Sequence, residues 1–170
     1  VKKLVLREKG PSDGDAYVAI KEKRGRWVRN PIIRWSWVHA TLADYLLLLH
    51  SRVFFPARGA DVLICDRYLQ DAVADLAAMM PEPVKAARTI VSGPLARLFP
   101  RPERLYFISI SADEAKRRKD DGTSYELLKD RVALYHELAM ATGATIVDGN
   151  RTIDEIGAQI ATDCSLLESK

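Results

Sequence analysis

Asp66, Arg67 and Tyr68 stand together at the end of a short apolar run, Val62 to Cys65. The run contains Val and Ile and has the length of a strand buried on both faces. In an open α/β sheet the carboxyl ends of the strands line the crevice where ligands bind. An acid and a base side by side at such an end can orient a hydrated cation and hold an anion. Those are the needs of a phosphate-handling site. The competing reading is a structural ion pair that caps a strand. For an isolated Asp-Arg pair that reading is the stronger one, so the rest of the chain has to decide.

Other residues with chemical potential lie nearby. Asp71 and Asp75 follow at a spacing of four, on a stretch from 69 to 80 that reads as helix. Like charges at that spacing repel unless a cation or basic partner lies between them, or water solvates them. The solvated face fits Asp75 better; for Asp71 the two readings balance. Lys116, Arg117, Arg118 and Lys119 form a basic run, as a solvated helix face or as a clamp for an anion. Cys65 and Cys164 are not in a C-x-x-C pair, so neither a zinc site nor a disulfide framework is indicated. Cys65 reads as a small core residue of the central strand. His39, His50 and His136 fall on expected helices without partners at ligand spacing.

Elements must position these groups. Residues 1–7 read as a strand, 10–15 as a loop, and 21–29 as a basic surface stretch. Asn30-Pro31 starts a long helix, with Asn as N-cap and Pro at the first helical position. Trp35, Val38, Leu42, Leu46, Leu49 and Val53 recur at three or four residues and give that helix one apolar face, ending before Pro56 and Gly59. At this spacing the tryptophans read as core. Asp44, close to the stripe, is the exception. It sits at the stripe's edge or faces a polar cleft. After the central strand and the helix over 69–80, residues 84–98 give one or two short helices with a break at Gly93-Pro94. Residues 104–110 are the next strand. Ser111 to Glu114 is a capping box opening a short basic helix that Asp120 to Gly122 breaks. Thr123 to Glu126 opens a helix running to Thr142 and closed by Gly143. Residues 144–147 are the last strand, and Thr152 to Glu155 caps the last helix. Strand and helix alternate, as in a parallel sheet with helices on its faces.

Composition sets the outer bounds. A chain of 170 residues with 48% hydrophobic and 29% charged residues has the make-up of one soluble domain with a sizeable core. A net charge of +3 suits an anionic ligand, not the clustered basic footprint of a nucleic-acid binder. The leucine-rich run from Trp37 to Phe55 is broken by His39, Asp44, His50 and Arg52, so a buried helix is expected, not a membrane span. A cytoplasmic, reducing compartment follows as the default.

The order of these motifs resembles the thymidylate kinase family. LYFISISADEAKRRKDDGTSYELLKDRVALYHELA and then IVDGNRTIDEI match that family's strand, A-x-x-A-K-R-like helix, basic lid, long helix and closing strand and helix. The long helix carries an R-x-x-x-[YF]-x-x-L pattern at Arg131, Tyr135 and Leu138. Upstream, a long helix and a Gly precede a strand running into D-R-Y. The opening LVLREKG is similar to the family's second strand and R-E-P-G turn, at Arg7, Glu8 and Gly10. The resemblance spans most of the chain. It implies a three-layer α/β fold with a mostly parallel sheet of the P-loop nucleotide-kinase type, and ATP- and Mg²⁺-dependent phosphoryl transfer to a nucleoside monophosphate, foremost dTMP. It makes Asp66 the organiser of Mg²⁺ and phosphates and Arg67 a phosphate clamp. Arg117 and Arg118, in a lid spanning about residues 112–126, become stabilisers of the transferring group. Arg7, Arg34, Asp44, Tyr68 and Asp71 become substrate-binding candidates. A homodimer through the helix of residues 31–55 is implied as well; no nucleic-acid or membrane partner is.

Three features depart from the family pattern. No glycine is followed by Lys-Ser or Lys-Thr, so G-x-x-x-x-G-K-[ST] is absent. The resemblance implies that the strand–P-loop–helix unit, roughly 30–40 residues, precedes Val1. This chain alone is then expected to be weak or inactive. Asp44-Tyr45 lies near where the family has an Asp-Arg pair, leaving Arg34, Arg29 or Arg52 as possible substitutes. Ser124 replaces a lid arginine, and Asp71 stands where the family often has Ser. The alternative expectation is a degenerate kinase-like domain that senses nucleotides or binds a partner without catalysis.

Overall fold

The computed structural model describes residues 30–118 and 123–168. The expected strands and loops before residue 30, Arg7 among them, and the break at 120–122 lie outside the described residues.

Helix α1 spans Pro31–Leu49. The Asn30 side chain accepts from the backbone N–H of Ile32 at 2.9 Å and of Ile33 at 3.4 Å. These bonds satisfy donors that a helix start leaves open, and Pro31 lacks the N–H that would be wasted there. The expected apolar face is the buried one. Val38, Leu42 and Leu49 are in the core, and Trp35, Leu46 and Val53 pack against it. The helix then widens into a π-helical turn, His50–Phe54, where the Phe55 N–H reaches back to the His50 carbonyl at 2.8 Å. Trp37 departs from expectation. It points off the stripe and is 41% exposed.

Helix α2 spans Leu69–Ala78 and α3 spans Pro83–Val91, followed by a short 3₁₀ turn at Ala96–Leu98. Strand β1, Tyr106–Ser109, precedes α4, Ala112–Arg118, and α5, Tyr125–Thr142. Strand β2, Thr145–Asp148, precedes α6, Ile153–Glu168. The cap of α5 is Ser124, one residue later than expected, with its hydroxyl accepting from the Leu127 N–H. Gly143 closes α5 at φ 68°, a left-handed conformation that glycine adopts without a Cβ clash. Thr152 and Glu155 form the reciprocal capping box expected for α6.

β1 and β2 pair in parallel, Tyr106 with Thr145 through Ser109 with Asp148. The mixed α/β class is as expected, and the described sheet holds these two parallel strands. Helices α2, α3 and α5 pack on one another, and α5 also touches β1 and α4. The core lies between α1 and this bundle, around Val73, Ala77, Ala87, Leu138 and Phe99.

The expected central strand does not form. Residues 62–65 belong to no ladder, and Val62, Leu63 and Ile64 are 70%, 42% and 88% exposed. Cys65 is exposed too, not a core residue. A strand buried on both faces needs neighbours on both edges and cover on both faces. Among the described residues only β1 and β2 pair.

Candidate functional site

The candidate site is the turn that leads into α2. Asp66 and Arg67 are exposed, while Tyr68 beside them is 8% exposed. Arg67 has φ 68° and is the non-glycine residue with positive φ among those described. A Cβ there crowds the following carbonyl, at a cost of about 1–2 kcal/mol. Tyr68 holds the turn from beneath. Its hydroxyl donates to the Pro100 carbonyl at 2.7 Å, and its ring meets Phe99 edge-on. Burial, then the nearby Cys65 and Tyr45, push its phenol up to about 12. Tyr68, a substrate-binding candidate from the sequence, anchors the turn on which Asp66 and Arg67 are exposed.

Asp71 occupies the first turn of α2, where a carboxylate also faces the positive end of the helix dipole. It is half-buried, and its Oδ1 accepts from the Tyr135 hydroxyl at 2.7 Å. One turn on, Asp75 pairs with Arg131 at 3.2 Å. The two aspartates therefore have separate side-chain partners. Tyr135 has its phenol raised by burial and then by the bond to Asp71. Tyr45 of α1 is raised by burial, then by Asp71 and Cys65, so three elements meet near Asp71. Gln70, in the same turn, has a buried Oε1 without a hydrogen-bond partner among the described residues.

The basic helix α4 lies at the carboxyl ends of β1 and β2. Arg117 makes a two-pronged bond to Glu114 at 2.8 and 2.7 Å. Arg118 reaches the same carboxylate at 2.5 Å and the Gly149 carbonyl, just past β2, at 2.9 Å. Arg117 first and Arg118 second hold the Glu114 carboxyl at about 2. Lys116 donates to the Thr123 carbonyl at 2.8 Å. Neither Arg117 nor Arg118 is hydrogen-bonded to Asp66 or Arg67. Arg34 is half-buried on α1, and Asp44, on the same helix, is exposed.

Two features of the site went unread in the sequence. Glu114 was expected to cap α4. Its backbone N–H does take the Ser111 hydroxyl, but its side chain binds the two arginines instead. The partners of Asp71 and Asp75 did have a signal. Arg131 and Tyr135 share their spacing of four, as residues facing across an antiparallel helix seam would.

As for a cation, no group of three or more His, Cys, Asp or Glu side chains converges among the described residues. A lone exposed carboxylate such as Asp66 still fits Mg²⁺, which commonly takes one or two carboxylates and fills its shell with water and substrate phosphates.

Comparison with protein families, with curated proteins and with solved structures finds no match to this chain. A functional reading therefore rests on its own residues.

Proposed function

We propose that this chain belongs to an ATP-dependent kinase of nucleoside monophosphates, with dTMP as the first acceptor to test, built on a three-layer P-loop fold. The observation that carries this reading is Arg67. An arginine held at φ 68° beside an exposed aspartate, over a buried tyrosine anchor, bears local backbone strain of the kind that clusters at functional sites. The parallel strand pair, with arginines at its carboxyl end, supports the same reading.

In this reading an oxygen of the acceptor's phosphate bonds to the γ-phosphorus of ATP as the β–γ bridge bond breaks. ADP and a nucleoside diphosphate leave. Asp66 would hold Mg²⁺, which when bound neutralises phosphate charge. The planar guanidinium of Arg67 grips phosphate oxygens in pairs. Arg117 and Arg118 supply positive charge at the strand ends once released from Glu114. The phosphate-cradling loop would come from sequence outside this chain. The compartment we propose is the cytoplasm. A homodimer through the outer side of α1 accounts for Trp37 and Leu48, which are 41% and 40% exposed.

The test is ATP-dependent turnover of nucleoside monophosphates by the full-length protein, its Asp66→Ala and its Arg67→Ala variants. We expect each variant to stay folded and lose about 100-fold in turnover. Folded variants with unchanged turnover would overturn the site assignment.

A second reading has its own support. Val62, Leu63 and Ile64 are exposed, as are Ile108 on β1 and Ile146 on β2. Apolar residues left open fit a kinase-like domain that binds a partner without catalysis. A protein that binds nucleotide without turning it over would favour this reading.

A further inference from the structure

We infer that Tyr135 is a positioning residue for the acceptor side of the site and acts through Asp71. The inference rests on the phosphoryl-transfer reading. It begins with what fixes each group. The Tyr135 ring lies parallel to Phe107 of β1, 6° between planes and 6.2 Å between centroids. Stacking and partial burial settle the two torsions of a tyrosine, so the sheet determines where its hydroxyl sits. That hydroxyl donates to Asp71 Oδ1 at 2.7 Å. The carboxylate is thereby held in one orientation, in the helical turn that follows directly on Asp66, Arg67 and Tyr68. The Arg131–Asp75 pair, one turn further along both helices, keeps α5 and α2 in the register this bond needs.

A plain helix staple would engage the carboxylate fully. Here Oδ2 of Asp71 accepts from no described residue. An ionised carboxylate is acceptor-only, so the open oxygen is suited to an N–H or O–H of the bound acceptor nucleotide. Tyr135 sets the direction in which that oxygen points. Sheet, helix α5 and the turn before α2 thus form one line of contact.

The experiment is a double-mutant cycle on the full-length protein with Tyr135→Phe, Asp71→Ala and the double variant. KM is measured separately for ATP and for dTMP. Tyr135→Phe keeps the ring stack and should shift Tm by less than about 5 °C. It should raise the dTMP KM about tenfold, the worth of one hydrogen bond to a charged group, and leave the ATP KM unchanged. With Asp71→Ala already present, Tyr135→Phe should add less than twofold. Asp71→Asn, which keeps an oxygen for Tyr135, gives an independent check and should raise the dTMP KM as well. Equal shifts in both KM values, or effects that simply multiply, would overturn the inference while leaving the kinase reading intact. A wild-type protein that transfers no phosphoryl group to any nucleoside monophosphate would overturn the kinase reading, and this inference with it.

Discussion

Arg67 and Glu114 show how single residues trade stability against charge placement. Arg67 sits where glycine would be relaxed. Arg67→Gly should therefore stabilise the fold by about 1 kcal/mol while lowering turnover about 100-fold, as expected for Arg67→Ala. Chemical denaturation and a kinase assay on the same preparation check both halves. A loss of stability would mean that the guanidinium, not the backbone, dominates at this position. Glu114 is a matter of acidity. Its carboxyl is held at about 2 against an ordinary 4.5 by Arg117 and Arg118. A depressed carboxylate stabilises the folded state above its unfolded pKa, and that contribution fades as pH falls through the folded value. The tether of α4 should hold at pH 5 and loosen progressively towards pH 2. Amide protection in α4, with exchange taken relative to the unfolded rate at each pH, should fall across that window, and Glu114→Gln should remove the dependence. An unchanged profile in the variant would show that another group controls α4.

Caps and seams act at the scale of the element. α6 begins at a reciprocal box, the Thr152 hydroxyl to the Glu155 N–H and the Glu155 carboxylate to the Thr152 N–H. Thr152→Ala removes the hydroxyl half of the box, leaves the backbone N–H of residue 152 to bind Glu155, and should cost about 1 kcal/mol, read as faster exchange at residues 153–156. Exchange that stays slow would mean packing, not the cap, sets where α6 starts. The α2–α5 seam follows another rule. Asp71 and Asp75 face Tyr135 and Arg131 in reverse order, so the helices run antiparallel where they touch. A second crossing pair, Arg88 of α3 with Glu137 of α5, ties the third helix to the same face. Exposed ion pairs contribute little singly. The hydrophobic contacts of Val73, Ala77 and Leu138 hold the bundle, and the polar pairs set its register.

At the scale of the whole molecule the unmatched surfaces matter most. Beneath the turn after β2 the packing leaves no slack. A Cβ on Gly149 would come within 2.5 Å of an Ile110 methyl and 2.9 Å of the Ser109 carbonyl. The outer side of α1 is the opposite case, apolar and open. If it forms the proposed dimer, Trp37→Glu combined with Leu48→Glu should convert a dimer into a folded monomer in sedimentation experiments. A wild type that sediments as a monomer would rule out that interface.

The sequence by itself determined what depends on neighbours within a few residues. Asn30-Pro31, the apolar spacing from Trp35 to Val53, the box at Thr152 and the stop at Gly143 each specify an element end or face through bonds inside one or two turns. The strands at 106–109 and 145–148 were legible because each is a short apolar run bounded by cap or turn residues. Only the tertiary structure decided the rest. Whether Val62 to Cys65 becomes a strand depends on ladder partners far along the chain, and the described residues supply none. The turn that carries the positive φ of Arg67 is anchored by the Tyr68 hydroxyl on the Pro100 carbonyl, 32 residues away. Asp71 could have been solvated or paired. Tyr135, 64 residues distant, settled it. Local hydrogen bonds are written in local spacing, but a side chain's distant partner exists only once the core has packed.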